Sequence, residues 1–93
     1  MEDDSIKILR VKASTDATKL AGSIYAAFMN DNKVVLRVIG AGSLNQAVKA
    51  VIISSKYFCQ KGLTPCIKPS FNNASDSITA IELVVFFQSF GSK

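Results

Sequence analysis

Between Ile39 and Val51 the chain reads IGAGSLNQAVKAV. Gly40, Ala41 and Gly42 form a tight turn after an apolar strand. Ser43, Asn45 and Gln46 then place polar side chains where a following helix exposes its first amides. Such a helix start can hold an anion, most often a phosphate. The rest of the sequence offers little reactive chemistry. It has no His, no paired carboxylate motif and no metal-ligand cluster, and its two Cys are Cys59 and Cys66.

Spacing narrows the possibilities. Gly40-Ala41-Gly42-Ser43-Leu44-Asn45 resembles the start of a dinucleotide-binding fingerprint, but Asn45 stands where the third glycine belongs. No Lys-Ser/Thr pair follows, so the stretch is not the phosphate loop of a nucleotide hydrolase. Most lone G-x-G turns only join a strand to a capped helix. Ser43 and Gln46 have the spacing of a capping box, in which each side chain satisfies a backbone amide near the other.

The elements that must position this turn follow from periodicity. Ile6–Ala13 reads as a strand and Ser14-Thr15-Asp16 as N-cap candidates. Ala17, Leu20, Ala21, Ile24, Ala27 and Phe28 recur at helical spacing, which predicts a helix to about Met29. Asn30-Asp31-Asn32 breaks it, and Val34–Ile39 is a second strand. Leu44, Ala47, Val48, Val51 and Ser55 form the buried stripe of a second helix that ends near Tyr57, which leaves Cys59 in a loop. Leu63–Lys68 is a short strand, Pro69–Ser77 a loop and Ile78–Phe87 the final strand.

The order is β-α-β-α-β-β. Right-handed crossovers put both helices on one face and make the first two strands parallel. The expected fold is therefore an α+β two-layer sandwich on a mixed four-stranded sheet. Pro65 removes a ladder donor, so its strand belongs at a sheet edge. Alternation turns Leu9, Val11, Leu36, Val38, Ile81, Leu83 and Val85 toward the helices. Ile8, Arg10, Lys12, Val35, Arg37, Ile39, Glu82, Val84 and Phe86 fall on the other face. If the last strand lies beside the second, Glu82 offsets Arg37 or Arg10 across strands. Phe86, Phe87 and Phe90, with Ile52 and Ile53 on the second helix, leave apolar surface that suits a homodimer or higher homo-oligomer.

This topology sets the Ser14-Thr15 turn beside the glycine turn. Two adjacent helix starts each present about half a positive charge and several free amides. Lys12, Lys19 and Lys49 are candidates to surround them, and Ser14, Thr15, Ser43, Asn45 and Gln46 supply uncharged donors. Lys68 and Phe71 join the same edge if the third strand runs parallel to the first two. Gly40, Ala41 and Gly42 complete the set. The arrangement suits a phosphate-lined surface, not a catalytic pocket. Asp16 serves more readily as a helix cap than as a general base. No enzyme activity, metal or cofactor is expected.

Charge agrees with an anionic partner. The net is +4, but Glu2, Asp3 and Asp4 hold three of the seven acids. From Ser5 onward 11 basic side chains face 4 acidic ones. A basic body of this kind suits nucleic acid, although small basic domains also arise from solubility alone. Residues 1–5 read as an acidic tip, 6–90 as a single domain and 91–93 as a tail. Two reduced thiols, no signal sequence and no membrane-spanning run point to an intracellular, cytoplasmic setting, or a nuclear one in a eukaryote.

The segment Ile39–Val51 closely resembles the hallmark of the stage V sporulation protein S family. The likeness runs from about Ile6 to Phe87. It includes the first strand entering a Ser-containing turn, the Ala21-Gly22 pair, and Cys66-Ile67 before Pro69 and Phe71. That family is similar in fold to the small basic Alba proteins, which bind DNA and RNA. The resemblance thus implies an Alba-like fold, dimers or higher assemblies, and nucleic-acid binding with a regulatory role in sporulation. The few base-reading groups at the site make low sequence specificity the expectation. One departure stands out. Alba proteins carry basic residues in the turn before the second helix, where this chain has Gly42 and uncharged Gln46. The other reading of the same turn is a regulatory oligomer that binds a protein partner or a small anionic ligand there.

Overall fold

A computed structural model describes residues 5–72 and 80–90. The elements are β1 (Ile6–Val11), α1 (Ala17–Met29), β2 (Lys33–Val38), α2 (Ala41–Cys59), β3 (Leu63–Asn72) and β4 (Ala80–Ser89). They form one mixed sheet in the order β1-β2-β4-β3. β1 and β2 are parallel, with Leu9 opposite Leu36. β4 runs antiparallel to both neighbours, so β3 shares the direction of β1 and β2. This is the two-layer, Alba-like α+β sandwich that the sequence implies.

The strands bury one face. Leu36 and Leu83 are opposite each other and almost wholly inaccessible, as are Val34 and Val38. Ile24 of α1 and Ala47, Ala50 and Phe58 of α2 close the core from the other layer. Small residues, with Ala21 also fully buried, let the layers approach closely. Phe58 meets Phe28 at 5.0 Å and Phe87 at 4.6 Å between ring centroids, and both rings pack near the end of α2. Phe87 therefore belongs to the core layer, and Phe86, its neighbour, faces away from it.

Local chemistry sets the boundaries. Asp16 caps α1, its carboxylate accepting from Thr18 N at 2.9 Å and Lys19 N at 3.2 Å. Asp31 adopts φ 62° after α1, a left-handed position that Asp tolerates. Gly40 precedes α2 at φ 91°, a conformation that favours glycine.

Three expectations are corrected. α2 starts at Ala41, not Ser43, and continues through Cys59, so that cysteine is helical. Its buried stripe runs through Ser43, Ala47, Ala50, Val51, Ser54 and Phe58, and Leu44 and Val48 are only partly covered. β3 extends to Asn72, so Pro69–Asn72 is strand and not loop. Pro65 and Pro69 both lie on this edge strand, at positions of the same parity, where the ladder spares their missing donors. The remainder of the expected loop, residues 73–77, lies outside the described residues, as do the start of the final strand at Ile78 and most of the acidic tip.

Candidate nucleic-acid interface

The turns that start α1 and α2 are adjacent, as the topology requires. Gln46 donates from Nε2 to the carbonyl of Thr15 at 2.8 Å, which ties the second turn to the first. A Cβ added to Gly42 would stand 2.8 Å from Cβ of Ala13, so only glycine lets the two turns touch. Thr15 closes its own turn, taking Lys12 N on Oγ1 at 2.8 Å and donating its amide to Lys12 O at 3.0 Å.

The expected capping box does not form. Ser43 lies inside the first turn of α2 and is buried. Its hydroxyl accepts from Ile39 N at 3.0 Å and lies 2.7 Å from the carbonyl of Ile39, to which it donates. It holds the strand exit and presents nothing to a ligand. Gln46 is committed to Thr15, and exposed Asn45 reaches only Gln46, at 3.4 Å. Gly40, the N-cap of α2, supplies no side-chain hydrogen bond. The first amides of α2 therefore carry the positive end of a 19-residue helix without a side-chain cap.

The two helix starts are not equivalent. Asp16 satisfies amides of α1 with a carboxylate, so that start is already neutralised. The anion-binding potential belongs to Gly40, Ala41 and Gly42 of α2, with Lys12 and Ser14 exposed in the adjoining turn. Lys19, in the first turn of α1, is also exposed. Lys49 lies eight residues beyond Ala41, about 12 Å along α2, and so stands apart from the helix start. Lys68 pairs in register with Val84 and lies on the face of the sheet away from the helices. Phe71 is at the same end of the sheet as the glycine turn, as the shared direction of β3 predicts. It stands on the far edge strand, about 14 Å from β1, and is 70% exposed.

A second cluster was not singled out from sequence. Arg10, Lys12, Arg37 and Ile39 line a groove of about 350 Å³ on the outer face, next to the turn that carries Ala13. The alternation of β1 and β2 was the signal, because it puts Arg10 and Arg37 on one face, and the parallel register then sets them directly opposite. Arg37 also pairs with Glu82 across β2 and β4, as expected: Nε and one terminal nitrogen reach Oε2 at 2.9 and 2.6 Å. Asn72 donates to the same oxygen at 2.7 Å. These partners, Arg37 foremost, hold the Glu82 carboxyl below its usual pKa.

A family model described as Stage V sporulation protein S matches residues 7–88. The chain belongs to that family. The matched span takes in every candidate residue from Lys12 to Phe71. Among the described residues, no group of three or more His, Cys, Asp or Glu could hold a metal ion. No described helix is long and apolar enough to cross a membrane.

Proposed function

We infer that this protein is a nucleic-acid-binding module of low sequence specificity with a regulatory role. The observation that carries the reading is the uncapped start of α2, set against the Lys12–Thr15 turn and flanked by Arg10 and Arg37. Amide groups and cations converge there, and the nearby carboxylates are engaged elsewhere, Asp16 with the amides of α1 and Glu82 with Arg37 and Asn72, an arrangement that suits a phosphate backbone. The basic body supports the same partner. Few of these groups read base edges, so affinity comes from phosphates and falls with salt. The departure from Alba proteins at Gly42 and Gln46 shifts the work from side-chain cations in that turn to backbone amides and to Lys12, Lys19 and Lys49.

The module acts as a homodimer or higher homo-oligomer. Ile52 on α2 and Phe90 after β4 remain 64% and 44% exposed, and a second copy would cover them. The test is titration at low salt with duplex and single-stranded DNA and RNA, with the mass in solution measured alongside. Binding of at least one form by an assembly larger than one chain is expected. Ordered oligomers without nucleic-acid affinity would replace this reading with a regulatory oligomer that binds a protein or a small anion at the same turn.

A further inference from the structure

The face of the sheet turned away from the helices is amphipathic in a particular way. One row across it runs Ile8, Val35, Val84, Lys68 and the next runs Arg10, Arg37, Glu82, Ser70. Cys66 and Phe86 pair in the row on the other side of Val84. Ile6, Ile8 and Phe86 are 46%, 45% and 41% exposed, so an apolar strip with one aromatic ring lies open along the face, with exposed Lys33 set between Ile6 and Phe86. Cations border it: Lys68 on the β3 side, and Arg10 and Lys12 at the end where the 350 Å³ groove opens. Glu82 is the only acid in the four strands, and its carboxylate is already engaged by Arg37 and Asn72.

A second copy of this chain fits poorly on such a face, because its cations outnumber the acids beside them: among the described residues Asp31 lines a groove with Lys33 and Phe86, and Glu82 is engaged by Arg37. A duplex fits only its rim, since it presents phosphates and sugars and hides the flat faces of its bases. A single strand supplies both parts: bases for the apolar strip and phosphates for the bordering cations. We propose that the outer face of the sheet, centred on Phe86 with Ile8 and Val84 and bordered by Lys68 and Arg10, is a platform for single-stranded nucleic acid. The platform is continuous through Lys12 with the start of α2. It rests on the nucleic-acid reading above and extends it to a second surface. Its width of about 14 Å accommodates about three nucleotides.

The test compares a labelled single strand of about eight nucleotides with a duplex of about 16 base pairs, at one salt concentration. Phe86→Ala is expected to weaken single-strand binding about tenfold or more and to leave duplex binding within about twofold. Phe86→Tyr restores the single-strand affinity, because the stacking surface returns; a role in packing alone would not separate the two nucleic acids. Lys68→Glu weakens the single strand more than the duplex. Circular dichroism confirms that each variant is folded, and light scattering gives its mass. Equal effects on both nucleic acids, or no effect on either, overturn the platform while leaving duplex binding intact as a function. A fall in mass with Phe86→Ala assigns the face to self-association and overturns it too. No binding of any nucleic acid by the unaltered protein removes the parent reading and the platform together.

Discussion

Glu82 shows how much one side chain decides on this sheet. Its carboxylate oxygen takes bonds from Arg37 and Asn72, on the two strands that flank β4. The sequence reading left Arg10 and Arg37 as equal partners, because alternation gives the face but not the register. Antiparallel pairing of Arg37 with Glu82 settles the choice. Loss of the charge in Glu82→Gln should destabilise the fold by about 1 kcal/mol at neutral pH. The folded carboxyl titrates below its unfolded value, near 4.3. Its stabilisation is therefore whole above that value and is lost as pH falls through the lowered folded pKa. Denaturation of both proteins across pH 2 to 7 checks this, on the usual carboxylate range. The gap between them should be widest at neutral pH and close in acid. A gap that persists at the acid end would mean that packing, not charge, holds the pair.

Helix α2 carries the larger lesson about elements. Its existence was legible from Ala47, Val51 and their spacing, but its start was not. Ser43 and Gln46 satisfy the pattern of a local capping box, and local pattern was all the sequence offered. Tertiary partners win instead: Ser43 bonds back to Ile39 and Gln46 crosses to Thr15. The longer β3 was missed for a related reason. Pro69, with Asn72-Asn73 after it, marks a loop by local rules, yet an edge strand that already holds Pro65 loses nothing at positions where no partner waits. The same contrast separates two glycines. Gly22, inside α1, would give an added Cβ open space, so Gly22→Ala should stabilise the protein by about 1 kcal/mol. Gly42 would drive that Cβ into Ala13, so Gly42→Ala should destabilise it and disturb the junction of the two turns. Thermal melts of both variants read the signs. Shifts in the same direction would contradict the close approach of the two turns.

At the scale of the whole molecule, topology does most of the work that motif matching could not. A glycine turn with Asn45 in place of a third glycine carries little by itself. Right-handed crossovers and a parallel β1-β2 pair bring the Lys12–Thr15 turn against it, and this much followed from the order of elements. The inequality of the two helix starts followed only in part. Asp16 was legible as the cap of α1. The uncapped start of α2 was not, because Ser43 turns back to Ile39 and Gln46 crosses to Thr15. Nor was the separation of Lys49 and Lys68, which sit on α2 and on the outer face of the sheet. The candidate cations form a band across the two turns, α2 and the outer face of the sheet, not a single pocket. Such a band suits a polymer with regularly spaced charges better than a small ligand.

That distinction is open to one direct measurement: the salt dependence of nucleic-acid affinity for the protein and for a Lys12→Glu, Lys49→Glu double variant. Each phosphate contacted on a duplex contributes about −0.9 to the slope of log affinity against log salt. The protein should show a clearly negative slope. The double variant should bind more weakly, with a slope shallower by about 1.8, since two separate phosphates lose their partners. An unchanged slope and affinity in the double variant would contradict the site proposed at the start of α2 and its flanking lysines.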